Sequence, residues 1–224
     1  MKSSLLILFV LTCSISTQAQ MNFDGRKNRP LYGNSNTFGV QLGAEYDSPL
    51  GNFALSHKPA ITYNFSLLKY LNSSHLNLSA GYLNYKPWQP IFTFEDEGVE
   101  LGKYTTSDFR VYAIYAGWQK DFRLSDVISL GGGVDVGGYF SKYRITISQT
   151  GLDSDITTEE QNIYLAAKAG FGFNLAEQVQ INLQAKYNFF TPSQTYNSRS
   201  TEYSEGGWVS YASWSAGLGI AYKF

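Results

Sequence analysis

The feature that most limits what this chain can fold into is alternation with a period of two, sustained without a long apolar run. The last segment shows it best. Ala212, Trp214, Ala216, Leu218, Ile220, Tyr222 and Phe224 alternate with Ser213, Ser215, Gly217, Gly219, Ala221 and Lys223. Successive side chains on a strand point to opposite faces, so one face here is apolar or aromatic and the other small or polar. A strand of this kind meets an apolar medium on one side and a cramped interior on the other.

The pattern recurs upstream. Val179, Ile181, Leu183, Ala185, Tyr187 and Phe189 alternate with Gln180, Asn182, Gln184, Lys186 and Asn188. Comparable runs begin at Phe38, Ile61, Leu76 and Ile163. Two further strands are less regular. Both faces carry apolar residues over residues 109–122. Over residues 128–147 the apolar parity changes near Phe140, from Leu130, Val134 and Val136 to Tyr143, Ile145 and Ile147, which predicts a bulge or a strand leaving the apolar medium. The expected fold is all-β, an eight-stranded antiparallel up-and-down transmembrane β-barrel occupying residues 37–224.

The connections fall into two classes. Turns at Asn72-Ser73-Ser74, Arg123-Leu124-Ser125-Asp126 and Ala176-Glu177-Gln178 are tight, whereas residues 48–58, 88–108, 150–160 and 193–208 form longer polar loops. Long and short alternate strictly, which places every short turn on one side of a membrane and every long loop on the other. A secreted β-sandwich also alternates, but its outer face meets water and carries charge. Here that face bears Phe171, Phe173, Tyr187, Phe189, Trp214, Tyr222 and Phe224, an aggregation hazard in water.

The N-terminal segment predicts the compartment. A basic start at Lys2, an apolar run over residues 5–11 and small residues at Thr17 and Ala19 read as a signal peptide over residues 1–19. Residues 20–36, rich in Gly, Asn, Arg and Lys, are expected to form a periplasmic tail. Cys13 lies within the leader and follows Thr12, which argues against a lipoprotein and leaves the mature chain without a thiol. With 16% charged residues against 17 Tyr, 15 Phe, 4 Trp and 21 Gly, the composition suits a barrel in lipid. Basic and acidic residues number 17 and 18 with no basic run, so nucleic acid is not an expected partner.

With these residues in view, the chain resembles the small eight-stranded outer-membrane barrels, the OmpX- and OmpA-like group and especially the PorT-like barrels of Bacteroidota. The leader ending Ala19-Gln20 is similar to those of that phylum. The closing Tyr222-Lys223-Phe224 is similar to the strand signal that barrel-assembly machinery recognises. The resemblance implies location in the outer membrane, insertion by that machinery with Tyr222 and Phe224 as the assembly signal, and lipids as partners. It brings no catalytic residue and no cofactor.

Chemistry is sought on the inward face. Asp135, Lys168 and Lys186 share inward parity at similar heights, Glu45, high on the first strand, faces them across the lumen, and charges inside a barrel this narrow must be paired or hydrated. They read as a structural plug of ion pairs with Gln41, Asn182 and Gln184; the rival is a transport or binding site. His57 lies in the first long loop near Asp47, Ser48 and Ser56, and His75 beside a short turn; neither grouping amounts to a nucleophile with an oriented base, so no enzyme is expected. Glu95, Asp96, Glu97 and Glu100 read as a solvated acidic loop, with an oxygen-only calcium site as the alternative; no His or Cys metal spacing occurs. Gly131-Gly132-Gly133 precedes a strand and not a helix, so it serves curvature or close packing, not phosphate. The fourth loop, with Tyr196, Asn197, Ser198, Tyr203 and Ser204, suits contact with a protein or glycan, and Trp208 and Tyr211 suit interface anchoring. The expected role is structural or interactive, accessory to a secretion or surface complex; a narrow solute channel and, behind it, a lipid-modifying enzyme are the alternatives.

Overall fold

The computed structural model describes residues 37–96, 99–149, 152–191, 194–197 and 211–224. The expected leader (residues 1–19) and tail (residues 20–36) lie outside the described residues, as do Glu97, Ser198, Tyr203, Ser204 and Trp208. The elements are β1 (Phe38–Pro49), α1 (Asn52–Ser56), β2 (Ala60–Leu71), β3 (Ser74–Tyr85), β4 (Ile91–Asp96), β5 (Val99–Thr106) and β6 (Phe109–Arg123), followed by β7 (Ile128–Gln149), β8 (Leu152–Asn174), β9 (Val179–Phe190), β10 (Gln194–Asn197) and β11 (Tyr211–Lys223).

Eight of these strands close a ring in the order β1-β2-β3-β6-β7-β8-β9-β11, all neighbours antiparallel. The expected eight-stranded transmembrane barrel is therefore what forms. Its seam joins β11 to β1 from Gly39↔Lys223 to Pro49↔Ser213, and Phe38 and Phe224 exchange backbone hydrogen bonds of 3.3 and 2.9 Å at the end of it. Closure leaves no strand edge within the wall, the condition for crossing hydrocarbon with strands. Strands of 12 residues such as β1, β2, β3 and β9 are long enough to span, since about 9–11 tilted residues suffice.

The wall sorts its side chains by parity. Leu42, Leu78, Ile114, Val134, Ile163 and Leu218 point outward and are exposed, Leu42 by 67%. Polar Gln41, Glu45, Asn64, Asn77, Asp135, Lys168, Lys186 and Ser215 point inward and are buried. At these positions the pattern is inverted relative to a water-soluble sandwich, and it fits lipid outside.

Three loop assignments need correction. Residues 152–160 belong to β8 and not to a loop: β7 and β8 run on together to Gln149↔Leu152, far past the other strands. Residues 88–108 contain the hairpin β4–β5, which adds to the extended part of β7 through Gly102↔Gln149 and Thr106↔Ile145 and places Lys103 on a strand. Residues 48–58 begin in β1 and hold the single turn of α1. Long polar connections looked like loops because β-ladders outside lipid need no apolar alternation. The parity change near Phe140 is resolved likewise. Pairing of β7 with β6 and β8 passes through Phe140 without a register shift. The strand leaves the apolar belt there, so Lys142 and Arg144 now face outward while Tyr143 and Ile145 turn inward and are partly buried.

Candidate functional site

The lumen holds two layers. Toward the short-turn end it is ionic. Lys168 Nζ donates to Asp135 Oδ1 at 2.6 Å and to Asn77 Oδ1 at 2.8 Å. Lys186 Nζ donates to Glu45 Oε1 at 2.8 Å and stands 3.9 Å from Asp135 Oδ2. The structure thus brings Glu45, Asp135, Lys168 and Lys186 into one network across β1, β7, β8 and β9, although they are scattered through the sequence. Glu45 also accepts from Asn64 Nδ2 and Gln184 Nε2, each at 2.8 Å, and from Ser215 Oγ at 3.0 Å. Asn182 Nδ2 donates to Gln41 Oε1 at 2.8 Å.

Local sequence makes the room. Gly117 pairs with Asp135, and a Cβ at 117 would fall on the Asp135 carboxylate and the Asn77 amide. Gly131 similarly leaves space for Gln119 and Asp121. Within the run at 131–133, Gly131 and Gly133 thus serve close packing on a strand, whereas Gly132 has room beside it. Nearer the short turns, His75 Nδ1 lies 2.8 Å from Asp121 Oδ2, and Gln119 Nε2 donates to Asp121 Oδ1 at 2.8 Å. Lys223 Nζ donates to Asn174 Oδ1 at 3.2 Å. A polar cavity of about 30 Å³ runs from the Lys168–Lys186 level to His75 and Asp121, room for a water or two and no larger solute.

Toward the long-loop end the lumen is aromatic. Tyr139, Tyr164 and Phe190 form a cluster with ring centroids 4.9 Å (Tyr139–Tyr164), 4.5 Å (Tyr139–Phe190) and 5.6 Å (Tyr164–Phe190) apart. Tyr115 packs edge-on to Tyr164 at 5.3 Å. Above them α1 lowers Phe53 onto Tyr85 and Phe109, both at 5.2 Å, and His57 stacks on Phe53 at 4.3 Å. Burial among these rings lowers the His57 pKa, partly opposed by its backbone hydrogen bond with Phe53. Between the layers, Asp47 accepts from Tyr85 Oη at 2.5 Å, Ser213 Oγ at 2.9 Å and Asn188 Nδ2 at 3.1 Å.

Sequence reading missed this aromatic layer and the roles of Asp47, Asn188 and Asp121. A signal was present: Tyr85, Tyr139, Tyr164 and Phe190 carry bulk at positions where the parity calls for small or polar residues. The sequence grouping of Asp47 with His57 is not assembled, because the Asp47 carboxylate is taken up by Tyr85, Ser213 and Asn188. His57 Nδ1 instead lies 2.9 Å from Ser56 Oγ. His75 faces the lumen at the opposite end. Among the described residues no group of acidic, His or Cys side chains is arranged to hold a metal.

No protein-family model and no curated protein matches the chain. Solved structures do. A major outer-membrane protein of Thermus thermophilus superposes with a TM-score of 0.54 at 10% identity, covering 85% of this chain and 100% of that one. Neisserial surface protein A gives 0.49 at 18% identity, over 84% and 97% of the two chains. Ail, the attachment invasion locus protein of Yersinia pestis, gives 0.47 at 17% identity, over 85% and 100%. At such identities the likeness is one of fold: a small β-barrel of the kind found in outer membranes.

Proposed function

We propose that the protein sits in the outer membrane and acts as an interaction barrel, presenting the sheet formed by β4, β5, β7, β8 and β10 to a partner outside the cell. The observation that carries this reading is the β4–β5 hairpin. It stands beyond the lipid-facing belt, and among the described residues β4 has β5 as its only strand neighbour. Ile91, Phe92, Phe94 and Leu101 are all exposed on it. An unpaired edge flanked by apolar side chains is a template for strand addition, with backbone hydrogen bonds supplying affinity and side chains specificity.

The filled lumen supports interaction over transport. The aromatic layer and the α1 lid oppose passage of solutes, as expected where eight strands leave an interior just wide enough for side chains. The engagement of Asp47 away from His57 supports a role without catalysis. The finer affiliation with PorT-like barrels, and with it service to a secretion or surface complex, rests on the leader and on Tyr222-Lys223-Phe224. Those last residues also close the seam, and we assign them the further task of engaging barrel-assembly machinery.

A photo-crosslinking residue placed at Phe94 in living cells tests the reading, with Leu78 in the lipid belt as the comparison. A discrete protein adduct is expected from position 94 alone. Its absence from a correctly folded barrel, or an equal yield at both positions, would sink the proposal. Stable large conductance of the refolded protein in a planar bilayer would replace it with the channel reading.

A further inference from the structure

Among the described residues, the outward face of the barrel carries its positive charge on one side. Tyr63, Tyr82, Tyr112 and Phe140 occupy one register row across β2, β3, β6 and β7, all exposed, with the Tyr82 and Tyr112 rings 5.3 Å apart. Aromatic rings of this kind gather where hydrocarbon gives way to headgroups; because the strands tilt, the row runs obliquely, rising toward the long loops from Tyr63 to Phe140. Just beyond it toward the long loops stand Lys58, Lys86, Arg110 and Lys142, all exposed. Lys58 and Lys86 are joined by a backbone hydrogen bond of 2.8 Å, and Arg110 and Lys142 are direct cross-strand partners. Arg144 follows one outward position later.

On the other half of the wall the corresponding outward positions are Gln161 on β8, Thr191 after β9, Ala212 on β11 and Ser48 on β1, none of them charged. Two carboxylates border the basic side. Asp108 accepts from Asn84 Nδ2 at 2.8 Å, and Glu159 from Lys142 Nζ at 2.7 Å, both members of that ion pair being well exposed. Five cations therefore face two carboxylates, in a protein whose formal net charge is −1.

We propose that Lys58, Lys86, Arg110 and Lys142 form a binding site for the phosphate groups of a lipid in the outer leaflet. Like charges placed directly across a ladder, as Arg110 and Lys142 are, destabilise it. Glu159 offsets Lys142 on its far side, and an anion between the two cations would offset the pair from the side of Arg110. A guanidinium beside ammonium groups suits phosphate, the former as a bidentate fork and the latter as point charges. The lipid is identified by continuity. Below the cations the wall presents Ile61, Tyr63, Tyr82, Tyr112 and Ile114, so acyl chains lying on these residues carry their headgroup to the arc. The four cations are exposed, and a free anion lacks the acyl contacts that would hold a lipid there. Trp88 reports on the site: the Lys58 ammonium lies 5.4 Å from its ring centroid, and its indole N–H donates to Ala54 O at 3.0 Å.

The test uses the full barrel refolded into phosphatidylcholine nanodiscs and titrated with bis-phosphorylated lipid A. Tryptophan fluorescence gives the binding curve, and heat-modified gel mobility confirms that each variant is folded. Lipid A is expected to bind saturably, with Lys86→Gln and Arg110→Gln each weakening it about five-fold. Arg110→Lys should retain most of the affinity. Lys69→Gln, at the opposite rim where the ammonium lies 3.8 Å from the Phe38 ring centroid, should leave it unchanged. The proposal fails if folded Lys86→Gln and Arg110→Gln bind like the parent. It fails also if dephosphorylated lipid A binds equally, which would make acyl packing the whole effect. Equal binding of inorganic pyrophosphate would instead make this a site for free anions.

Discussion

The two halves of the lumen share one wall and one inward parity, yet they are filled by opposite chemistry. Near the short turns, Glu45, Asp135, Lys168 and Lys186 are buried and joined by hydrogen bonds of 2.6 and 2.8 Å. Near the long loops the same inward positions carry Tyr85, Tyr139, Tyr164 and Phe190, with Tyr85, Tyr164 and Phe190 almost wholly buried. The contrast teaches that an interior eight strands wide accepts either filling, provided that every charge has a partner and every ring a neighbour. The failure modes differ. Charges removed from water depend on their partners, so losing one member strands the other, whereas a lost ring leaves a void that neighbours partly fill.

The largest effect should follow from breaking the ionic half. Lys168→Ala takes from the buried Asp135 its hydrogen-bonded cation, leaving Lys186 at 3.9 Å, and should cost about 3–5 kcal/mol of unfolding free energy in detergent–urea titrations. Lys103→Ala, on the exposed β5, should stay within about 0.5 kcal/mol. Equal effects would mean that the buried pair does not hold the lumen together.

A smaller effect is expected in the aromatic half. Phe190→Leu keeps an apolar side chain but loses the ring contacts with Tyr139 and Tyr164, each such pair contributing about 0.5–1.5 kcal/mol. The same urea titration reads it, and a loss as large as that of Lys168→Ala would erase the distinction between the halves.

The smallest effect concerns the lid alone. His57 has a folded-state pKa lowered by burial, so folding favours its neutral form. Its contribution is present above the unfolded value near 6.5 and is lost as pH falls through the folded one. The protection factors of the α1 amides, taken against intrinsic exchange at each pH, should therefore fall on acidification below about pH 6.5, while those of the barrel amides hold. His57→Gln should abolish that pH dependence; its persistence would mean that another group controls the lid.

Much of the wall was legible because lipid and lumen impose a period of two on any strand between them. The alternation from Ala212 to Phe224 and the strict order of long and short connections were enough to specify a closed eight-stranded barrel. The inward parity of Glu45, Asp135, Lys168 and Lys186 was legible for the same reason. Their choice of partners was not, since Lys186 could have met Asp135 as readily as Glu45. The sheet beyond the belt was read as loops, because strands in water paired on both sides need show no apolar face.

The sequence by itself therefore determined which side of the wall each residue faces, a local property set by strand geometry. Tertiary structure alone decided what meets inside. The register around the closed ring sets the height of each side chain, and height separates the ionic layer from the aromatic one. It also gathers Lys58, Lys86, Arg110 and Lys142, well separated along the sequence, into a single arc above the lipid belt.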